Sequence, residues 1–220
     1  AKKKERFSPM VVGSYTGAEI IASSHPKDKK ITVKQYDFRR PDKFSRDQLR
    51  TLAIIHETFS RLATTRLITM LRQHSHLSMG IVDQMTFEEY IRAIPPVITM
   101  AIINMDPLKG SGIIQIDNLL TFAIIEHLAG GSPCINTSIP RSDLTHIELA
   151  LMEGIFAYGL LPPLHESWST VLHLSPRLGQ IETNPQFAQI VPPTEMVVVV
   201  EVHCMIGEVK GRISGVLETM

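Results

Sequence analysis

Leu49, Leu52, Ile55, Phe59 and Leu62 recur at the three- and four-residue intervals that place side chains on one face of an α-helix. Just before them, Ser45-Arg46-Asp47-Gln48 has the S-x-x-Q form of a capping box, in which the hydroxyl and the amide side chain satisfy unpaired amides at a helix start. The pattern predicts a long amphipathic helix over roughly 45–72. Ser78 to Met85 reads as a strand, and Phe87 to Arg92 as a short helical turn stopped by Pro95-Pro96. The run Val97 to Ile103 is almost uninterruptedly apolar and β-branched, which marks a strand covered on both faces and central in its sheet. A turn at Asp106-Pro107, a strand from Gly112 to Asp117, and a helix carrying Leu120, Ile124 and Leu128 follow, with Asp117 or Asn118 as its cap. Gly130-Gly131 ends that helix, and Ser132 to Pro140 reads as a loop.

The pattern then begins again. A helix with Leu144, Ile147, Leu151 and Ile155 is expected after Ser142, ending by Pro162-Pro163. A strand over Val171 to Glu182, a short turn at Asn184 to Gln189, an apolar strand from Met196 to Val202 and a last strand from Gly211 to Glu218 complete the series. Pro95-Pro96 with its strand falls on Pro192-Pro193 with its own at an offset of about 97 residues. In the same register Tyr90 falls on Phe187 and Ile94 on Val191, and Lys109-Gly110 falls on Lys210-Gly211 after a slightly longer turn. The chain therefore reads as a duplication: residues 1–35 as an N-terminal arm, and 36–220 as one domain of two similar halves, about 44–131 and 141–218, the second lacking its last helix. Two halves that each own a buried strand are expected to pair those strands at a pseudo-twofold axis and cover them with helices, giving an α/β fold, a pseudo-twofold duplicated α/β/α sandwich. The competing architecture is two separate α+β domains divided near 132–141.

With 44% hydrophobic residues in 220, the chain can bury a substantial core. Lys plus Arg (22) equals Asp plus Glu (22), so no net field draws the molecule to nucleic acid or anionic lipid. The dense basic stretches, Lys2-Lys3-Lys4 and Lys27 with Lys29-Lys30, read as solvated parts of the arm. Cys134 and Cys204 lie far apart without C-x-x-C spacing, which indicates neither a disulfide framework nor a zinc knuckle and fits a reducing compartment. No apolar run approaches the ~20 residues of a membrane span, and no secretory signal follows the basic start, so no membrane insertion is expected.

Reactive chemistry finds little support. His74-x-His76 has no third ligand at zinc spacing, and His203 and Cys204, adjacent in a strand, point to opposite faces. No nucleophile elbow, P-loop or dinucleotide fingerprint is present; Gly110-Ser111-Gly112 reads as a strand connection and Glu88-Glu89 as a solvated turn. No metal or cofactor is expected. Gly130-Gly131 suits a helix cap, yet two glycines and a loop exceed what one cap requires, and bare backbone lets a partner approach closely.

Tyr36-Asp37-Phe38-Arg39-Arg40-Pro41-Asp42-Lys43-Phe44-Ser45, Met105-Asp106-Pro107-Leu108-Lys109-Gly110, the helix ending in Gly130-Gly131, and the stretch from Glu182 to Met196 resemble, in order, the middle domain of FliM, a flagellar motor switch family. The resemblance implies the CheC-like fold and a non-enzymatic subunit of the cytoplasmic ring, or C-ring, peripheral at the inner-membrane basal body. It implies binding to FliG, packing beside other FliM copies, a weak site for phosphorylated CheY, and contact with FliN mainly through a C-terminal region. The family's FliG motif, G-G-x-G, matches at Gly130 and Gly131 of Gly130-Gly131-Ser132-Pro133; Pro133 replaces the last glycine, removing an amide donor and fixing φ. Self-contact is expected to use the long helix, with His56 on it, and the Asn184-Pro185 loop. The family's relatives include CheC-type phosphatases of phosphorylated CheY, the alternative function. Their signature needs Asp or Ser four residues before a Glu and Asn three after; the flanks here are Ala53 and Ser60 around Glu57, and Leu149 and Phe156 around Glu153, so the amide is missing from both halves. With neither the CheY-capturing N-terminal peptide nor a FliN-like domain visible, the sequence is expected to be an excised middle domain.

Overall fold

A computed structural model describes residues 43–131 and 143–218. The expected N-terminal arm, the Tyr36 motif up to Asp42, Cys134, Ser132 and Pro133 lie outside these residues.

The long helix forms as α1, Arg46–Leu71, and its capping box is complete: the Gln48 amide donates to Ser45 Oγ at 3.2 Å and the Ser45 amide to Gln48 Oε1 at 2.8 Å. The same device opens α2, Phe87–Ala93, with Thr86 and Glu89, and α4, His146–Gly154, with Thr145 and Glu148. Between them run β1 (Ser75–Thr86), β2 (Ile98–Asp106), β3 (Ser111–Asp117) and α3 (Asn118–Leu128). Helix continues beyond Pro162-Pro163, contrary to the expectation that they end it. After α4 a π-helical segment, Ile155–Leu160, leads directly into α5, Leu161–Trp168. The Leu161 amide reaches back five residues to the Phe156 carbonyl, so the ladder has changed register where the prolines enter, and they occupy the first turn of a new helix, where a missing N–H costs little. By length and apolar content His146–Trp168 would pass for a membrane span, but Met152, Ile155, Phe156, Leu160 and Leu164 are all buried in the core. The next strand, β4, begins at Ser175, not Val171, because the Val171 and Leu172 amides both turn back to the Trp168 carbonyl. A 3₁₀ turn (Pro185–Phe187), β5 (Met196–Ile206) and β6 (Val209–Glu218) follow.

All six strands form one antiparallel sheet in the order β1-β5-β6-β3-β2-β4. The two apolar strands are interior, as expected, but they do not pair with each other at the axis. Each is bound to its successor by a short connection, Pro107 to Gly110 in one half and Gly207-Glu208 in the other, with Gly207 at φ +58°. β3 and β6 are left to meet at the centre. The offset that carries Lys109-Gly110 onto Lys210-Gly211 also carries Ile114 onto Gly215, and these two residues face each other across the β3–β6 ladder, so the pseudo-twofold passes through them. The outer side of each hairpin is filled by the other half: β1 pairs with β5, and β4 with β2.

One sheet face carries α1, α3 and the α4–α5 stretch over the larger core, from Leu67 and Phe156 to Ile116, Val200 and Ile213. The other is covered by α2 and the 3₁₀ turn, through Phe87, Tyr90, Ala188 and Val191 against Ile98, Met100, Val197 and Val216. Tyr90 donates its hydroxyl to Gln115 Oε1 at 2.5 Å, and burial raises its pKa above the ordinary phenol value. The sandwich is thus unequal, thick on one face and thin on the other.

Phe156, fully buried in the π segment, is among the largest side chains of the core. Phe156→Ala is expected to lower the unfolding free energy by about 3–5 kcal/mol in urea titrations; a loss below about 1 kcal/mol would show that the helix does not anchor the sheet there.

Candidate functional site

Helix α3 begins where β3 ends. Asp117 stands at its N-cap position without capping it; instead Asp117 Oδ2 accepts the Arg212 amide of β6 at 2.8 Å. Leu120, Thr121, Ala123, Ile124 and Ile125 are buried, and the Thr121 hydroxyl meets that of Thr99 on β2 at 3.0 Å. At the far end the chain leaves through Ala129, Gly130 and Gly131, all exposed. Gly130, at φ +84°, donates to the His127 carbonyl at 3.0 Å, and Gly131 donates to the Glu126 carbonyl at 2.8 Å, the paired bonds of a Schellman cap. Both glycines therefore have a local reason. Gly130 supplies the left-handed φ, and a Cβ on Gly131 would lie 3.3 Å from the Glu126 carbonyl oxygen. Sequence reasoning counted the second glycine as surplus; the cap uses both. Because the amides of Ala129, Gly130 and Gly131 are all donated inside the cap, an approaching partner meets Cα and carbonyl surface unscreened by side chains.

The expected self-contact residues are not equivalent. His56 is only 4% exposed: its ring donates from Nδ1 to the Leu52 carbonyl at 2.9 Å and stands edge-on to Trp168 and Phe59, so it lies inside the core and off the surface of α1. Helical spacing alone could have signalled this, since residue 56 follows Leu52 by four and adjoins Ile55 on the buried stripe. The outer face of α1 instead lines a groove of about 650 Å³ against edge strand β1, walled by Ile54, Thr58, Arg61, Thr65, His76 and Ser78. Asn184 is exposed and caps the 3₁₀ turn through Oδ1, which accepts the Gln186 amide at 3.0 Å; Pro185 is buried. Sequence reasoning missed Phe187. Its duplicate, Tyr90, is 2% exposed, whereas Phe187 is 68% exposed.

Glu57 and Glu153 are both exposed, but the positions three residues after them hold Ser60, whose hydroxyl donates to the His56 carbonyl, and the buried Phe156. Among the described residues no three His, Cys, Asp or Glu side chains gather as a metal site. Cys204 is buried and its thiol is pushed up to about 12, first by burial and then by the charge of Asp117, so it is inert.

One antiparallel sheet built from two strand-exchanged halves, with helices on both faces, defines a duplicated α/β sandwich. Residues 45–218 match the family model described as "Flagellar motor switch protein FliM", and the chain belongs to that family. It is 46% identical over 211 residues to the flagellar motor switch protein FliM of Treponema pallidum, covering 96% of this chain and 60% of that one. It is 50% identical over 188 residues to FliM of Borreliella burgdorferi, covering 86% and 53%. The chain thus spans a little over half the length of these relatives. Among solved structures, the FliG–FliM complex of H. pylori aligns with a TM-score of 0.73 and 26% identity over 80% of this chain and 94% of the matched one.

Burial holds the pKa of His56 below its ordinary value, partly offset by the Leu52 carbonyl. Well above pH 6.5 the imidazole is neutral in both folded and unfolded chains and contributes no pH dependence to stability. Below that, the unfolded chain takes up a proton that the folded one resists, so stability falls with falling pH, by at most about 1.4 kcal/mol per pH unit from this group. Urea unfolding at pH 7.5 and 5.5 should show a smaller acid loss for His56→Leu than for the parent; equal losses would contradict the buried neutral state.

Proposed function

We propose that this chain is a non-enzymatic scaffold element of the flagellar motor switch, binding FliG at the α3 exit, packing beside its own copies in the cytoplasmic ring, and relaying the binding of phosphorylated CheY to the direction of rotation. The observation that carries the reading is the Schellman exit at Gly130 and Gly131, in a chain of the FliM family whose H. pylori member has been solved with FliG. A cap that consumes its own amides presents a fixed, low-profile surface, which suits close docking by a protein better than capture of an anion. FliN contact belongs to a further region of the longer relatives, and the assembly sits at the cytoplasmic face of the inner membrane.

Self-packing uses two different surfaces. The α1 groove lies on the thick face and the exposed Phe187 turn on the thin one, so contact between them is heterologous, the kind that closes into a ring or continues as an open array.

Gly131→Trp should weaken FliG binding by at least about tenfold, a difference of about 1.4 kcal/mol, in a calorimetric titration at a temperature where the melt shows the variant folded. Retained affinity would remove the exit from the interface. Phe187→Asp should shift the chain toward monomer in sedimentation at concentrations where the parent associates; an unchanged distribution would remove the turn from the self-contact.

A further inference from the structure

The α3 exit belongs to the first half of the molecule, and besides the Thr121–Thr99 contact within that half, the ties at the root of α3 come from the second. The Arg212 amide of β6 donates to Asp117 Oδ2 at 2.8 Å, and the Arg212 guanidinium stands 3.6 Å from the same oxygen and 3.6 Å from Glu201 on β5. One turn into the helix, Leu120 is fully buried directly over Gly211, the neighbour of Arg212. A Cβ on Gly211 would lie 2.7 Å from Leu120 Cγ and 3.3 Å from Asp117 Oδ2, so helix and strand approach more closely than any other residue at 211 allows. Asp117 has left its capping duty to make this tether: it accepts no α3 amide.

We infer that Asp117 and Gly211 are positioning residues for the partner-binding exit, aligning α3 against β6 so that the backbone at Gly130 and Gly131 is presented in a docking-competent place. The inference rests on the proposed use of that exit. An eleven-residue helix is roughly 16 Å long, so a tilt of roughly 5° at its root moves the far end by more than an ångström. A Schellman cap moves as a rigid unit with its helix, since its bonds run within α3 and its exit. Alignment at Asp117 therefore reaches the docking surface without any contact between the two.

Calorimetric titration of FliG into the parent chain and four variants tests this, each at a temperature where the melt shows it folded. Asp117→Ala loses the tether and should bind about tenfold more weakly. Asp117→Asn can still accept the Arg212 amide and should stay within about twofold of the parent. Gly211→Ala, which forces Leu120 outward, should match Asp117→Ala and serves if that variant does not fold. Leu178→Ala, a destabilising change on β4 away from α3, should bind as the parent does. Parent-like binding by Asp117→Ala and Gly211→Ala, alongside lost binding by Gly131→Trp, overturns the positioning role and leaves the exit reading standing. Binding unaffected by Gly131→Trp as well overturns the exit reading and this inference with it. Equal weakening of Asp117→Asn and Asp117→Ala, or of Leu178→Ala, also overturns it, since the loss would then follow charge or stability instead of the hydrogen bond.

Discussion

The antiparallel pairing of β3 with β6 through Ile114 and Gly215 is the contact on which the rest of the molecule depends. Each half brings a hairpin whose apolar strand needs neighbours on both sides and cover on both faces, and neither half supplies all of them. Joining the hairpins at their second strands closes the middle of the sheet; exchanging β1 and β4 closes its flanks. The symmetry is broken where it matters for packing. Gly215 stands opposite Ile114, and a Cβ there would meet His56 Nε2 at an ordinary contact distance of 3.9 Å, which leaves the buried imidazole and the edge-on Trp168 beside it no space for a longer side chain. An isoleucine at both places would push α1 off the sheet.

The same joint also fixes the short helix α3. α3 is apolar on most of its surface and would be a poor exposed element, yet it is fixed on both sides of the axis, by Thr99 from its own half and by Gly211 and Arg212 from the other. The thin opposite face makes a different compromise. Tyr90 is locked in by its hydrogen bond to Gln115, while the equivalent Phe187 stays in solvent on a 3₁₀ turn whose Pro185 is the buried residue. Duplication has thus left one aromatic as core and its twin as surface.

Much of this was legible in the chain. The capping box at Ser45, the interior character of Val97–Ile103 and Met196–Val202, and the duplication follow from local chemistry and periodicity, and the structure carries them all. What failed was non-local or contextual. Nothing in two apolar strands says which neighbour each takes; the short hairpin connections, visible but not used, decide it. Pro162-Pro163 looked like a stop because a proline pair ordinarily ends a helix, and a π segment that resets the ladder has no sequence signature of comparable strength. His56 is expected at a self-contact although it sits on the buried stripe, and of Asp117 and Asn118, either of which is expected to cap α3, Asp117 has its carboxylate claimed by a backbone amide from β6. The exit glycines are legible as bare backbone at a helix end, but the 3.3 Å approach to the Glu126 carbonyl that gives the second glycine its local reason is not.

In the function proposed above, the chain presents the rigid end of α3 to another protein. Chemical-shift mapping of the isotopically labelled chain during titration with unlabelled FliG tests it most directly. The first and largest perturbations are expected to centre on Ala129, Gly130 and Gly131, with the amides of α2 and the Phe187 turn unmoved. Perturbations confined to the thin face, with the α3 exit silent at saturation, would contradict it.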